Sequence, residues 1–269
     1  MDLFLASLVV FGAAGLAALV FALVHRIAEG PLLADSGRGR PMIQVTGTLF
    51  AVVLAFVILA AFQTYNGAKA GAQSEASAVL DMARTALFFP TAQRSQLRGD
   101  FVCYGRAVVE REWPAMRNGQ SSSLVDYWVG AYRTEFGRLD LHSARERFGF
   151  QDLLSLADTR TTGRQQRLSD DSPAVPAPLW IALVFGGCVA VAVQLGMADP
   201  RERLRVHALL LAGLASVVTA GLLLVYFLDH PYQRHAGGIQ PTAMRQTLQM
   251  IGKLEPSLRP GCDQSGRPV

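Results

Sequence analysis

The chain has 269 residues, of which 51% are hydrophobic and only 17% are charged, with a formal net charge of +4. Soluble globular proteins carry about 25% charged residues. The low charge therefore argues against an ordinary soluble domain, and together with the high hydrophobic content it indicates a membrane protein.

Four stretches contain no Asp, Glu, Lys or Arg and are long enough to cross a bilayer, which takes about 20 apolar residues. They are residues 3–24, 42–62, 179–197 and 206–228. Buried helices of a soluble protein would carry polar faces, and these stretches carry almost none. We expect the first to be a span rather than a secretory signal, because its apolar run exceeds the usual 7–15 residues. The sequence therefore predicts an all-α polytopic membrane protein with four transmembrane helices in two pairs.

The segment between the two pairs, residues 63–178, is predicted to be a soluble helical insert, and residues 229–269 a polar tail. Apolar residues of the insert recur at helical spacing instead of alternating as in strands. The second span should continue as one helix to about residue 89, because residues 59–79 contain no proline and only two separated glycines. Pro90 is predicted to end this helix, and Pro114 and Gly119 are predicted to stop the helix that follows it. Ser-Ala-Arg-Glu from Ser143 fits a capping box at a further helix.

Small residues mark places where another helix can approach closely. The candidates are Gly12 and Gly15 in the first span, and Gly67 and Gly71 just after the second span. The approaching helix comes either from the same chain or from a neighbouring subunit, and the sequence leaves both alternatives open.

No pattern typical of an enzyme or a metal site is present. The five histidines lack zinc-site spacing, and there is neither a phosphate loop nor a nucleophile elbow. Ion-coupled carriers usually have charged residues in the middle of their spans, and none of these spans has one. The insert has 14 basic against 13 acidic residues, which argues against nucleic-acid binding. We expect no catalytic activity and no cofactor; a membrane enzyme is the least supported alternative, and the lipid bilayer is the expected partner.

The short loops between paired spans carry six arginines, whereas the flanks on the other side carry four cations near the membrane. The positive-inside rule then predicts a multi-pass protein of the inner membrane whose insert and both termini lie outside the cytoplasm. Cys103 and Cys262 would share that side, where an oxidising compartment permits a disulfide between them. Two unpaired thiols are the alternative.

Several stretches together resemble the bestrophin-like proteins, a bacterial and plant domain family of unknown function. One is TGTLFAVVLAFVILAAFQTYNGAKAGAQSEASAVLDMAR, which includes the second span. Another is YGRAVVEREWPAM, with Glu112, Trp113 and Pro114, and a third is RQQRL before the third span. The last is LDHPYQRHAGGIQPTAMRQTL after the fourth span, with Asp229 and Pro231. The similarity extends over nearly the whole chain.

The resemblance implies a more distant likeness to the bestrophins, pentameric anion channels with two spans, a helical insert and two further spans. By that analogy we expect a homo-oligomeric anion channel, with Phe50 and Phe56 of the second span as candidate pore-lining residues. Bestrophins keep the insert in the cytosol, so the analogy and the charge count conflict. The alternative function is a membrane scaffold or sensor whose insert binds a protein partner.

Overall fold

The computed structural model describes residues 3–27, 36–169, 175–196, 204–233, 235 and 237–269. The described chain is helical, in the order α1 (Leu3–Ile27), α2 (Ser36–Thr85), α3 (Thr91–Ala107), α4 (Trp113–Met116), α5 (Ser123–Gly137), α6 (Ala144–Ser169), α7 (Ala177–Gly196), α8 (Leu204–Asp229) and α9 (Thr242–Leu254). Four helices are long and apolar enough to cross a membrane, through Phe4–Leu23, Gly47–Phe88, Ala177–Gln194 and Arg205–Asp229. The predicted all-α class with four span helices is confirmed.

The chain divides into two compact units. The first contains Met1–Thr64, Pro173–His230 and Arg234–Gly238, and the second contains Tyr65–Ser172, Pro231–Gln233 and Ile239–Val269. Helix α2 contributes to both units, because it runs without a break from Ser36 to Thr85. At 1.5 Å per residue its 50 residues extend for roughly 75 Å. A short 3-10 turn, Ala86–Phe88, follows it before Pro90.

Two small apolar clusters hold the spans of the first unit together. One joins α1 to α8 and has the buried members Ala17, Phe21, Leu211 and Ala215. The other joins α2, α7 and α8 and has the buried members Val57, Ala61, Val175, Leu183 and Val225. Many large apolar side chains outside these clusters are exposed. Such an outer surface suits helices that contact lipid tails or other span helices.

The second unit has one continuous core, to which the segment after α8 contributes. Residues 229–269, predicted as a polar tail, are therefore not a separate tail: α9 packs against α3, and Ile251 is fully buried. The reason is the amphipathic pattern of α9, which places Met244, Thr247 and Ile251 on one buried face. Thr247 Oγ1 also donates a hydrogen bond to the Ala76 carbonyl oxygen (2.9 Å).

Pro114 does not end its helix, contrary to the prediction, whereas Gly119, the other predicted stop, follows the last helical residue, Met116, in a left-handed conformation (φ 66°). Helix α3 passes into a π-helical turn, Val108–Glu112, and α4 continues the chain to Met116. A proline in an α-helix removes one hydrogen bond and clashes with the carbonyl four residues earlier. The π-turn shifts the hydrogen-bond register by one residue, and it accommodates the ring without a break. Glu112 and Trp113 are both buried here.

The predicted capping box at Ser143 is confirmed, and α6 begins at the next residue. Ser143 Oγ accepts a hydrogen bond from the Glu146 backbone N–H (3.1 Å). Glu146 Oε2 accepts in return from the Ser143 backbone N–H (2.8 Å). The exchange satisfies two backbone donors that the first turn of a helix otherwise leaves unpaired.

Candidate functional site

One side of α2 within the first unit presents apolar side chains that the described chain leaves uncovered. They are spaced three or four residues apart, which places them on one helix face: Val45, Leu49, Val52, Phe56 and Leu59. Each is between 46% and 67% exposed. The opposite side of α2 packs against α7 and α8 through the buried Val57 and Ala61. A span with one covered and one uncovered apolar face has room for lipid or for another subunit.

The two candidate pore-lining residues differ in their surroundings. Phe56 lies on the uncovered face and is its most exposed member, at 67%. Phe50 is half-buried against the glycine pair of α7: a Cβ added at Gly186 would lie 2.8 Å from Phe50 Cδ2, and one at Gly187 would lie 3.5 Å from Cζ. Phe50 is thus a packing residue between α2 and α7, and only Phe56 keeps an uncovered side chain.

The predicted helix-packing glycines also separate into two groups. A Cβ at Gly71 would lie 2.9 Å from the carbonyl oxygen of Gly163, so the backbones of α2 and α6 approach closely there. Gly67, one turn earlier, is half-buried. At Gly12 and Gly15 a Cβ would meet no atom of the described chain within 4 Å. Within the described residues no other helix approaches these two glycines closely, and packing against another subunit stays a prediction.

A buried cluster of charges lies beside the contact of α2 with α6. The guanidinium of Arg167 on α6 lies between two carboxylates: Nε donates to Glu75 Oε2 (2.6 Å) and Nη2 to Glu112 Oε2 (2.5 Å). Arg164, one turn earlier, donates to Glu112 Oε1 (2.5 Å) and to Asp126 Oδ1 on α5 (2.6 Å). Glu75, Glu112 and Arg167 are at most 1% exposed. We call these five residues the ion cluster.

The pKa shifts in the ion cluster favour charged groups. Burial alone would raise the pKa of Glu112, but the guanidinium groups of Arg167 and Arg164 outweigh it and hold the pKa below its usual 4.5. Burial alone would lower the pKa of Arg167, and the Glu75 and Glu112 carboxylates raise it instead. Glu112 and Arg167 are therefore ionised and paired near neutral pH.

Aromatic rings surround the ion cluster. The Tyr104 hydroxyl donates to Glu75 Oε1 (2.5 Å), and the Arg160 guanidinium lies 5.2 Å from the Tyr104 ring centroid and 5.7 Å from that of Tyr132. The Arg167 guanidinium lies 5.1 Å from the Trp113 ring centroid. The guanidinium groups of Arg160 and Arg167 thus face aromatic rings as well as oxygen acceptors.

The ion cluster connects elements that are distant in sequence. Its members come from α2, the π-turn, α5 and α6, and its carboxylates accept hydrogen bonds from within the second unit. Such an arrangement suits the positioning of helices better than the binding of a ligand. Sequence reasoning selected Glu112 and Trp113, and it included Arg164 and Arg167 only within the motif RQQRL and in the count of cations near the membrane. It missed Glu75 and Arg160. The available signal was the spacing of Arg160, Arg164 and Arg167, which places them along one helix face.

The two motif residues after the fourth span have different roles. The Asp229 carboxylate, 1% exposed, accepts hydrogen bonds from the Val175 backbone N–H (2.9 Å) and from Trp180 Nε1 (3.4 Å). It thereby links the end of α8 to the start of α7 within the first unit. The Pro231 carbonyl accepts the Ile239 N–H (2.7 Å) within the second unit. Both residues therefore position the backbone at element ends.

Cys103 and Cys262, the candidate disulfide pair, are bonded in the structure. Cys103 is on α3, and Cys262 belongs to the segment that follows α9. Trp128 Nε1 donates to the Gly266 carbonyl oxygen (2.6 Å), and Arg106 Nη1 donates to the Cys262 carbonyl oxygen (3.1 Å). The disulfide and these hydrogen bonds attach the C-terminal segment to the core of the second unit.

Asp100 on α3 is a buried carboxylate outside the ion cluster. Burial, aided by the nearby charge of Glu135 on α5, raises its pKa from 3.8 to about 6, against the lowering effect of a hydrogen bond from Gln96. Its Oδ1 accepts from Gln96 Nε2 (3.3 Å), whereas Oδ2 is buried without a hydrogen-bond partner in the described chain. The ionised form of Asp100 is therefore disfavoured in the folded protein.

Asp100→Asn is expected to raise the free energy of unfolding at pH 7 by about 1–2 kcal/mol, allowing for solvent screening of the charges. The folded pKa lies above the unfolded value, so folding binds a proton between pH 4 and 6 and wild-type stability falls as the pH rises through that window. Denaturant unfolding of both proteins in detergent at several pH values measures the difference. If the free energy of unfolding changed equally with pH in both proteins, the raised pKa of Asp100 would be contradicted.

A family model identifies the family of this chain, and solved structures show a similar fold. A family model described as the bestrophin-like domain matches residues 11–244. No curated protein matches significantly. A bacterial bestrophin homologue from Klebsiella pneumoniae superposes with a TM-score of 0.66 at 12% identity, over 93% of this chain and 97% of that one. A tryptophan-to-alanine mutant of a Klebsiella pneumoniae homologue superposes with a TM-score of 0.67 at 12% identity, over 92% of this chain and 96% of that one. At this identity the likeness to solved structures concerns the fold.

Proposed function

Because the chain belongs to the bestrophin-like domain family, we propose that it is the subunit of a homo-oligomeric pore that conducts anions. The observation that carries the proposal is the uncovered apolar face of α2. A cyclic oligomer turns the same helix face of every subunit toward one axis. Apolar side chains there form a constriction that opens and closes by wetting and drying. Phe56 is the proposed lining residue of that constriction.

Charge supports a pore for anions rather than a coupled carrier. The apolar stretches 3–24, 42–62, 179–197 and 206–228 contain no Asp, Glu, Lys or Arg, whereas coupled transport usually depends on such residues within the membrane. In the second unit, α2 exposes a strip of mostly uncharged polar residues that contains Lys69 and the Asp81–Arg84 ion pair, so the strip has a net charge of +1. A surface of that charge raises the local concentration of anions. The proposal is non-enzymatic and needs no cofactor.

Phe56→Ala is expected to raise the chloride current about tenfold, because a smaller side chain lowers the free energy needed to wet an apolar constriction by roughly 1.4 kcal/mol. Purified protein in planar bilayers with asymmetric chloride gives the current, and the reversal potential gives the selectivity. Phe185→Ala is the matched control, since Phe185 on α7 is 70% exposed and lies outside the proposed lining.

Two results would count against the pore. Equal currents in Phe56→Ala and Phe185→Ala would show that this face of α2 does not line the pore. A silent bilayer, with folded protein shown to be inserted, would favour the scaffold or sensor alternative and direct attention to a protein partner of the insert.

We also propose that the insert and both termini lie outside the cytoplasm of an inner-membrane protein. Disulfides persist in oxidising compartments and are rare in the cytosol, and the second unit carries the Cys103–Cys262 disulfide. The excess of arginine in the short loops points the same way. The cytosolic insert of the bestrophins is the opposing analogy.

Reporter fusions distinguish the two orientations. Alkaline phosphatase joined after Val269 is expected to be active, because it folds only where disulfides form, outside the cytoplasm. Green fluorescent protein joined at the same place is expected to be dark. Fusions within residues 197–203, between the third and fourth spans, are the control and should give the reverse. A fluorescent fusion after Val269 would place the insert in the cytoplasm and contradict the proposal.

A further inference from the structure

A groove in the first unit lies apart from the uncovered face of α2. Helix α8 forms its floor, and α1 and α7, which both pack on α8, form its walls. Its volume is about 360 Å³. The walls are lined largely by small residues: Ala13 and Ala17 on α1, and Gly187, Cys188 and Ala192 on α7. All three helices are span helices, so the groove lies at membrane depth.

The groove stays open because short side chains do not reach across it. Only Thr219 on the floor and Cys188 on the wall bring side-chain heteroatoms, and no lining residue is charged. Apolar cavities of this kind remain dry. The atoms that line an empty groove would lack dispersion contacts on their open side. An apolar occupant restores those contacts and is therefore favoured.

We propose that the groove binds one acyl chain of a membrane lipid. A methylene group takes about the volume of a water molecule, roughly 30 Å³, so the groove accommodates about a dozen chain carbons. One turn of an α-helix of 10 Å diameter fills roughly 400 Å³. A helix of a second copy could therefore lie over the groove only with part of its side chains inserted, whereas a lipid chain is thin enough to enter it along its length. The absence of charged lining residues favours the chain of the lipid over its headgroup.

A photoreactive lipid tests the site directly. Protein in nanodiscs that contain a phospholipid with a mid-chain diazirine is irradiated, and the adducts are mapped by mass spectrometry. We expect adducts concentrated on the lining peptides of α7 and α8. Ala192→Phe, which places a ring in the groove, should lower their yield about tenfold. Ile181→Phe on the same helix is the control and should leave the yield unchanged, because Ile181 is 70% exposed and is not a lining residue.

Three results would overturn the proposal. The first is an adduct yield that Ala192→Phe leaves unchanged. The second is an even spread of adducts over all exposed span residues, which indicates bulk lipid only. The third is a crosslink between Cys188 residues of two copies, which makes the groove a subunit contact. Should Ala192→Phe not fold, Ala13→Phe fills the groove from the opposite wall. None of these measurements depends on conductance, so the site and the pore can fail separately.

Discussion

Replacing Arg167 by alanine is expected to lower the free energy of unfolding by about 3–5 kcal/mol, because it leaves two buried carboxyl groups without their shared cation. Glu75 and Glu112 are at most 1% exposed and both accept hydrogen bonds from Arg167. Denaturant unfolding in detergent, followed by tryptophan fluorescence, measures the change. Arg84→Ala is the control: Arg84 forms an exposed pair with Asp81, and its loss should cost less than about 0.5 kcal/mol.

Further variants separate lost charge pairing from lost packing. Arg167→Lys should restore little, because an ammonium group cannot reproduce the planar donors that reach both carboxylates. Adding Glu75→Gln to Arg167→Met should recover part of the stability, since Glu75 is then uncharged and Glu112 keeps its ion pair with Arg164. The pKa of Glu112 is lowered in the folded state, so its contribution is complete above pH 4.5 and is lost as the pH falls through the folded value. An Arg167→Ala protein within 1 kcal/mol of wild type would contradict this account.

Removing both cysteines of the disulfide, with Cys103→Ala and Cys262→Ala, is expected to cost about 3–5 kcal/mol. The two residues are 159 positions apart, so the crosslink restricts a long loop of the unfolded chain. The segment after α9 should also exchange its amide hydrogens faster, because its remaining attachments are hydrogen bonds such as the one from Trp128 to Gly266. Thermal unfolding and hydrogen exchange measure the two effects.

Cys188→Ala is the matched control for the disulfide, since Cys188 is a free, exposed thiol, and it should leave stability unchanged. A reductant should lower wild-type stability to that of the double variant and leave the double variant unaffected. Equal stability of wild type and double variant without reductant would show that the bond contributes nothing.

Local physical chemistry made the four spans and one helix start predictable. A run of about 20 uncharged apolar residues has few stable environments other than a bilayer, whatever the rest of the chain does. The capping box of Ser143 and Glu146 is equally local, since donor and acceptor lie within one turn. The continuation of the helix past Pro114 was less predictable, because a proline usually ends a helix and a π-turn that accommodates it is rare.

The class of the protein was therefore determined by the sequence alone: an all-α chain with four spans, and motifs over most of its length that resemble one family. The partners of its charged and small residues were decided by the tertiary structure. Arg167 meets Glu75 across 92 positions, and Gly71 approaches Gly163 across a similar interval. The groove at Cys188 needs three helices. The physical reason is range: hydropathy and capping act over one or two turns, whereas ion pairs, disulfides and grooves depend on distances that exist only after distant segments have packed.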